Sequence, residues 1–305
     1  MKHLIFTASF AVLAALSATD ITVKPNPPWK ASAPGEFSID FDGGKGWRSL
    51  ELKPVSIKPD TYYKLSFDAC GSSGAAKTQL VVRNSRAGKT FNHYISWQAE
   101  AGFRPFILYF KSSDADAVRL LFNINPGPAA KITVKNPALK EVPAGELKNN
   151  LLAYGDFETG NDFVPYSAQY EKSLSVVPSP AFFCGEKSLR MTGEANGSAE
   201  ITTLELPAIP GKTVEVKFWA RSTEKSVPAH MILDFGRWGK KRHLYKTFQL
   251  KIGPEWKEYS YRFMLPAEAK TNDGSGQETG RLRFGLPKSP EAVTVYLDNI
   301  EYRIK

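Results

Sequence analysis

The chain has 305 residues, of which 42% are hydrophobic and 23% are charged, and its formal net charge is +9 at pH 7. This length is enough for two domains that each bury a core, and two cysteines are too few for a disulfide framework. The basic residues are scattered and no nucleic-acid-binding motif is present, so we do not expect nucleic acid as a partner. The charge indicates either attraction to acidic partners or simply a solvated basic surface.

The first 18 residues have the pattern of a secretory signal peptide. A basic start (Met1-Lys2-His3) precedes an apolar run over residues 4–16, and Ser17-Ala18 follows it. The run is too short to span a membrane, and no second long apolar run follows. We therefore predict cleavage after Ala18, and a secreted or periplasmic protein with no membrane span.

Strand patterns dominate the rest of the chain, with short runs rich in β-branched and aromatic residues. In the first half these runs cover Tyr62–Ala69, Thr78–Val82, Phe106–Phe110, Val118–Ile124 and Lys131–Val134. In the second half they cover Ser188–Met191, Ala199–Leu206, Thr213–Ala220, His230–Phe235, Leu244–Ile252, Lys257–Phe263, Gly280–Leu286 and Thr294–Tyr302. No segment longer than ten residues has a capped helical pattern. These patterns predict an all-β protein made of jelly-roll sandwiches.

The chain also repeats itself. Residues 51–70 resemble residues 202–221 at an offset of 151 positions, so that Pro59 aligns with Pro210 and Phe67 with Phe218. Residues 132–139 resemble residues 295–302 at a slightly larger offset. Repeats of this length are whole domains. We predict two tandem β-sandwich domains, at 19–142 and 151–305, joined by a linker at 143–150.

The order of motifs in the second half resembles a known family. These motifs are NNLLAYGDFETG (149–160), GEKSLRMTG (185–193), VEVKFWARS (214–222), GPEWKEYSYRF (253–263), RLRF (281–284) and VYLDNIEYRI (295–304). Their order resembles carbohydrate-binding modules of families 4, 9 and 22, within the galactose-binding-domain-like superfamily. The resemblance covers residues 149–305. It is fainter in 20–142, where it rests on GEFSIDF (35–41), YYKLSFDAC (62–70) and ITVKNPAL (132–139). It implies jelly-roll domains that bind a polysaccharide or oligosaccharide.

Alternation in VEVKFWAR places an aromatic residue outside the core. Val214, Val216 and Phe218 share one strand face, so Trp219 and Arg221 point to the other side. An aromatic ring beside polar groups suits a sugar, which has an apolar C–H face and a rim of hydroxyls. Packing of Trp219 under a loop explains the pattern equally well.

A hairpin over residues 234–248 supplies further candidates, namely Arg237, Trp238, His243 and Tyr245. The equivalent stretch of the first half, residues 83–97, contains Arg83, Arg86, Tyr94 and Trp97. Aromatic and arginine residues in both hairpins favour a ligand face, although an aromatic-rich sandwich edge is the alternative. We predict one binding face in the second domain that carries Trp219, Arg221, Trp238, His243 and Tyr245.

The family resemblance also implies a structural calcium ion in the second domain. Asp156, Glu158 and Asp298 match the acidic positions of GDFE and VYLD, and calcium binds carboxylate and carbonyl oxygens. Lys135 occupies the position of Asp298 in the first domain, so no calcium is expected there.

The sequence favours a binding protein over an enzyme. The two repeats leave no room for a separate catalytic domain, and no HExxH, GxSxG or Cys–His signature is present. We predict a non-catalytic glycan-binding protein. A scaffold that binds other proteins is the alternative, and a lyase that uses Arg237, His243 and Tyr245 is a lesser one. Cys70 and Cys184 lie in different repeats, either as free thiols or as a bridged pair.

Overall fold

The structure is a computed structural model, and it describes the chain from residue 19 onwards with internal gaps. The described residues are 19–20, 30–33, 35–41, 48–51, 54–72, 77–86, 89–98, 101–112, 116–124, 129–166, 173–178, 185–223, 226–237, 243–267 and 278–305. The predicted signal peptide, Cys184 and Trp238 lie outside these residues. Cys70 is half-buried, and because Cys184 lies outside the described residues, free thiols and a bridged pair both stay open.

Eleven strands are described in the first half of the chain. They are β1 (Thr19–Asp20), β2 (Lys30–Ala33), β3 (Glu36–Phe41), β4 (Arg48–Glu51), β5 (Val55–Ser56), β6 (Tyr62–Gly71), β7 (Lys77–Arg86), β8 (Lys89–Gln98), β9 (Arg104–Lys111), β10 (Ala117–Ile124) and β11 (Ala130–Glu141). A 3-10 helix, Glu146–Lys148, follows within the predicted linker, and its Leu147 is buried.

The second half also has eleven described strands. They are β12 (Phe163–Pro165), β13 (Leu174–Pro178), β14 (Lys187–Gly193), β15 (Ala199–Thr203), β16 (Leu206–Pro207), β17 (Thr213–Ser222), β18 (Val227–Arg237), β19 (His243–Ile252), β20 (Lys257–Met264), β21 (Thr279–Leu286) and β22 (Val293–Ile304). No α-helix occurs in the described part of the chain, which confirms the all-β prediction. No described helix is long and apolar enough to cross a membrane.

The strands form four antiparallel sheets. Sheet I has the order β2-β3-β11-β6-β9 and sheet II the order β4-β10-β7-β8. Sheet III has the order β12-β15-β21-β18-β19 and sheet IV the order β13-β14-β22-β17-β20. Strands β1, β5 and β16 pair at the side with β11, β10 and β21. Sheets I and II form one sandwich and sheets III and IV form the other, as predicted.

The register of the strands reproduces the repeat seen in the sequence. Ala69 on β6 pairs with Val134 on β11, and Ala220 on β17 pairs with Leu297 on β22. Strands β6–β11 therefore correspond one by one to β17–β22. GEFSIDF forms β3, which pairs with β11 as β14 pairs with β22. The segment that opens the second half does not follow this correspondence of strands. Residues 149–162, which include the motif NNLLAYGDFETG, contain no strand.

Alternating apolar residues build the core of each sandwich. Leu65, Phe67 and Phe122 belong to the first core, and Phe218 and Phe284 belong to the second. Full burial of each such side chain contributes about 1.5–3 kcal/mol to folding, so these alternating rows decide which face of each strand turns inward.

The two sandwiches pack directly against each other. Tyr62 and Tyr109, on the outer face of sheet I, join the core cluster of the second sandwich. The Tyr109 amide donates a hydrogen bond to the Glu205 carbonyl at 2.9 Å, and the Tyr62 hydroxyl donates to Glu278 Oε2 at 2.9 Å. Lys111 Nζ lies 2.8 Å from Glu278 Oε1. Apolar packing and an ion pair with low exposure thus hold the halves together.

Candidate functional site

The outer face of sheet III gathers polar side chains from three neighbouring strands. Ile201, Leu233 and Phe284 point into the core, so alternation turns Glu200 on β15, Asp234 on β18, and Arg281 and Arg283 on β21 outward. We call this surface the sheet III face. It comprises Tyr166, Glu200, His230, Asp234, Tyr245, Arg281, Arg283 and the adjoining Glu205.

Ion pairs fix the floor of the sheet III face. Arg283 donates from Nε to Glu200 Oε1 at 2.7 Å, and its Nη2 contacts the same oxygen. Arg283 Nη1 donates to Asp234 Oδ2 at 3.1 Å, and Arg281 Nε donates to Glu205 Oε1 at 2.7 Å. The Glu205 carboxylate raises the pKa of Arg281, so that guanidinium stays charged. Because both arginines are half-buried, these pairs hold the polar groups in defined positions.

Two tyrosine rings stand at opposite ends of this floor. Tyr166 is 43% exposed, and the Arg283 guanidinium lies 3.8 Å from its ring centroid. Tyr245, on the edge strand β19, is 63% exposed. The Tyr166 amide donates to the Glu200 carbonyl, so Tyr166 borders β15 on the side opposite to β19. Four strand steps of about 4.8 Å separate the two tyrosines by about 19 Å across the sheet, and Tyr245 is offset by a further four residues along β19, because the register aligns Tyr166 with Gln249.

His230 lies on β18 between them, with its imidazole over Gly285. A Cβ atom at position 285 would overlap the imidazole, so the glycine makes room for this ring. Burial lowers the pKa of His230, and the Arg283 charge adds to this, although Glu200 opposes it. The imidazole is therefore neutral at neutral pH, with one nitrogen that donates a hydrogen bond and one that accepts.

The predicted single face that carries both Trp219 and Tyr245 is wrong. Trp219 and Arg221 do point away from the core, but β17 belongs to sheet IV, whereas β19 belongs to sheet III. The outer faces of the two sheets lie on opposite sides of the sandwich. Trp219 is half-buried in a hollow of about 160 Å³, lined also by Lys217, Phe218, Glu258, Asn299, Glu301 and Arg303.

The hairpin residues are placed by their backbone. Arg237 pairs with His243 next to Tyr245, at the end of sheet III, while Trp238 lies outside the described residues. In sheet II, the strand pairs are Arg83 with Asn92, Val81 with Tyr94, Thr78 with Trp97, and Arg86 with Lys89. A ligand role for these residues stays a prediction.

The sequence reading missed most of the sheet III face, namely Tyr166, Glu200, His230, Asp234, Arg281 and Arg283. RLRF offered a signal, because Arg281 and Arg283 alternate with the core residues Leu282 and Phe284. The partner carboxylates come from β15 and β18, and only the tertiary register brings them next to these arginines.

The three predicted calcium ligands do not form a ligand set in the structure. Glu158 Oε1 accepts hydrogen bonds from the amides of Glu186 at 2.8 Å and Lys187 at 3.0 Å, so it closes a turn. Asp298 is buried and Asp156 is exposed. Among the described residues, no three acidic, histidine or cysteine side chains are grouped to hold a metal ion. Calcium here stays a prediction of the family resemblance.

No family model matches the chain, and no curated protein sequence matches it. Solved structures with a similar fold include the N-terminal tandem of two family 22 carbohydrate-binding modules from Paenibacillus barcinonensis Xyn10C. It is 16% identical at a TM-score of 0.40, and the match covers 94% of each chain. A family 16 carbohydrate-binding module is 20% identical at a TM-score of 0.39, over 50% of this chain and 99% of that one. The enzymatically active domain of bacteriophage CBA120 tailspike protein 4 is 16% identical at a TM-score of 0.37, over 51% of this chain and 21% of that one.

Proposed function

We propose that this chain is a secreted, non-catalytic glycan-binding protein whose main site is the sheet III face. The arrangement that carries the proposal is the Tyr166 ring held by Arg283 at one end of an ion-paired floor, with exposed Tyr245 at the other end. Aromatic rings stack on the apolar face of a sugar, and fixed polar groups bond its hydroxyls. The separation of the two rings suits an extended oligosaccharide rather than a single sugar.

The polar groups between the rings can both donate and accept hydrogen bonds. Glu200 has a second carboxylate oxygen beyond the Oε1 that binds Arg283, and the neutral His230 offers a donor and an acceptor. Sugar hydroxyls also donate and accept, so each finds a partner along this floor. Because the floor is held by ion pairs before the ligand arrives, little ordering is required on binding.

The same geometry favours binding over catalysis. Glycoside hydrolysis requires two carboxyl groups that face the scissile bond from opposite sides. Glu200 and Asp234 instead converge on one guanidinium and share its donors. They act as supports for Arg283, and the oligosaccharide would leave this face unchanged.

A glycan-array screen of the mature protein at low and at moderate salt tests the proposal. We expect binding to a defined group of glycans that survives moderate salt. Binding that disappears at moderate salt would indicate only nonspecific attraction by the net positive charge of the protein. No binding at all would favour the protein-interaction scaffold.

A further inference from the structure

We propose that a cleft at the junction of the two sandwiches is a second saccharide-binding site, separate from the sheet III face. This junction cleft has a volume of about 500 Å³ and is lined by residues 102–105 of the first half and by 157–161, 174–176 and Lys187 of the second. Its volume lies in the range of about 300–1,000 Å³ that is typical of ligand sites. A molecule in the cleft contacts both sandwiches.

One side of the junction cleft is apolar. Phe103 is 45% exposed and Val176 is 36% exposed, and Pro105 and Leu174 adjoin them. Lys135 Nζ lies 3.7 Å from the centroid of the Phe103 ring, which fixes the ring through a cation–π contact. An exposed aromatic ring held in this way is a platform for the C–H face of a sugar.

The other side of the junction cleft is polar. Lys187 Nζ donates to the Glu158 carbonyl at 2.7 Å, and Glu158, whose Oε1 accepts from the amides of Glu186 and Lys187, lines the same wall. Thr159 and Asn161 also line the cleft and carry a hydroxyl and an amide group, whereas the Ser175 hydroxyl accepts a hydrogen bond from Arg190. Donors and acceptors thus stand beside an apolar platform, and a hydroxyl-rich ring with an apolar face requires both.

The walls of the junction cleft are held in place by the packing of the two sandwiches. Arg104, from the first half, donates to the Asn161 carbonyl at 3.2 Å and contacts the Phe163 carbonyl. A Cβ atom at Gly160 would lie 2.6 Å from the Tyr154 ring, so this loop is tightly packed. A preformed site loses little affinity to ordering, and this favours recognition of a flexible saccharide.

Hydrogen–deuterium exchange of the full mature protein with xylotetraose or tetragalacturonate tests this proposal. We expect slower amide exchange in residues 101–104 and 174–176 with at least one of these probes. Phe103→Ala should raise the probe concentration that is needed for this protection about tenfold. Phe103→Tyr, which keeps the ring, should leave that concentration unchanged. Phe103 is exposed, so both variants should fold.

The Tyr245→Ala variant separates this site from the sheet III face. It should leave protection at the junction cleft unchanged, even where it removes protection from β18, β19 and β21. Protection confined to those three strands would overturn the junction site and leave the proposed function standing. Absence of junction protection with both probes, or protection that Phe103→Ala leaves intact, would also overturn it.

Discussion

Asn136 and Asn299 adopt the same left-handed conformation at the same point of the two sandwiches, with φ of 52° and 45°. Asn136 lies where the register of β11 against β6 shifts between Lys135 and Ala138. Asn299 lies where β22 shifts against β17, between the pairs Trp219–Asp298 and Lys217–Glu301. A shared irregularity supports duplication of one fold more strongly than shared core residues, because many sandwiches share an apolar alternation.

The bulge at Asn299 should tolerate glycine better than alanine. Left-handed backbone costs most L-residues about 1–2 kcal/mol, whereas glycine adopts it freely. We expect Asn299→Ala to lower the free energy of unfolding by about 1 kcal/mol more than Asn299→Gly does, measured by urea denaturation. Ser260→Ala, on an exposed and extended position of β20, is the control and should cost less than about 0.5 kcal/mol. Equal stability of the two Asn299 variants would contradict the assigned conformation.

Gly285→Ala should disturb the sheet III face by moving one of its side chains. The added methyl group would displace the His230 imidazole from the floor between Tyr166 and Tyr245. We expect about tenfold weaker binding of the best array glycan by calorimetry, equivalent to about 1.4 kcal/mol. Gly253→Ala is the matched control, since a Cβ atom there meets nothing within 4 Å. Unchanged affinity in folded Gly285→Ala protein would remove His230 from the site.

Asp162 should make stability depend on pH near the junction. Burial raises its pKa to about 6, although the Tyr154 amide bond and the charges of Lys64 and Arg104 pull it down. The folded chain therefore holds this proton more tightly than the unfolded chain. The contribution of Asp162 to stability is full below about pH 4 and is lost as the pH rises through 6.

Urea unfolding of the wild type and of Asp162→Asn between pH 4 and 7 measures this effect. Asparagine keeps the acceptor for the Tyr154 amide but does not titrate. The variant should gain stability relative to the wild type as the pH rises, by up to about 3 kcal/mol at pH 7. A difference between the two proteins that is flat with pH, or that has the opposite slope, would contradict the burial of Asp162.

The predicted calcium ion is tested by thermal unfolding with calcium and with EDTA. If Asp298 is a ligand, calcium should raise the melting temperature and Asp298→Asn should abolish the rise. Lys135, at the equivalent position of the first sandwich, provides the comparison, because Lys135→Asn should leave the calcium response unchanged. A melting temperature that is insensitive to both calcium and EDTA would leave Glu158 with only its structural role in the turn.

Much of the fold was predictable from local patterns. The predicted strands Tyr62–Ala69 and Thr213–Ala220 match β6 and β17 except at their last residues. Alternation also placed Trp219 correctly outside the core. These predictions succeed because the side-chain period of a strand is local, and burial decides which face turns inward.

The site was much less predictable, because alternation does not reveal to which sheet a strand belongs. The chain passes from sheet IV to sheet III between β17 and β18, so Trp219 and Tyr245 lie on opposite outer faces of the second sandwich. Tyr166 follows a three-residue strand and carries no periodic signal. Its role appears only when β21 brings Arg283 under its ring.

Equivalent positions in the two halves also explain why the outer face of sheet I is the one that packs against the other sandwich. Tyr62 and Tyr109 of sheet I pack against the second sandwich, and register equates Tyr109 with Arg262 of sheet IV. Arg262 Nε donates to Glu215 Oε1 at 2.7 Å. An apolar contact in the first sandwich is thus replaced by an ion pair in the second, which favours exposure of that face to solvent.

Calorimetric titration of the best array glycan into four proteins tests the central claim most directly. These are the wild type, Tyr166→Ala, Tyr245→Ala and Trp219→Ala, which truncates the aromatic residue on the opposite sheet. We predict about tenfold weaker binding for each tyrosine variant and unchanged binding for Trp219→Ala. Binding that is lost in Trp219→Ala and retained in both tyrosine variants would place the site on sheet IV and contradict the assignment to the sheet III face.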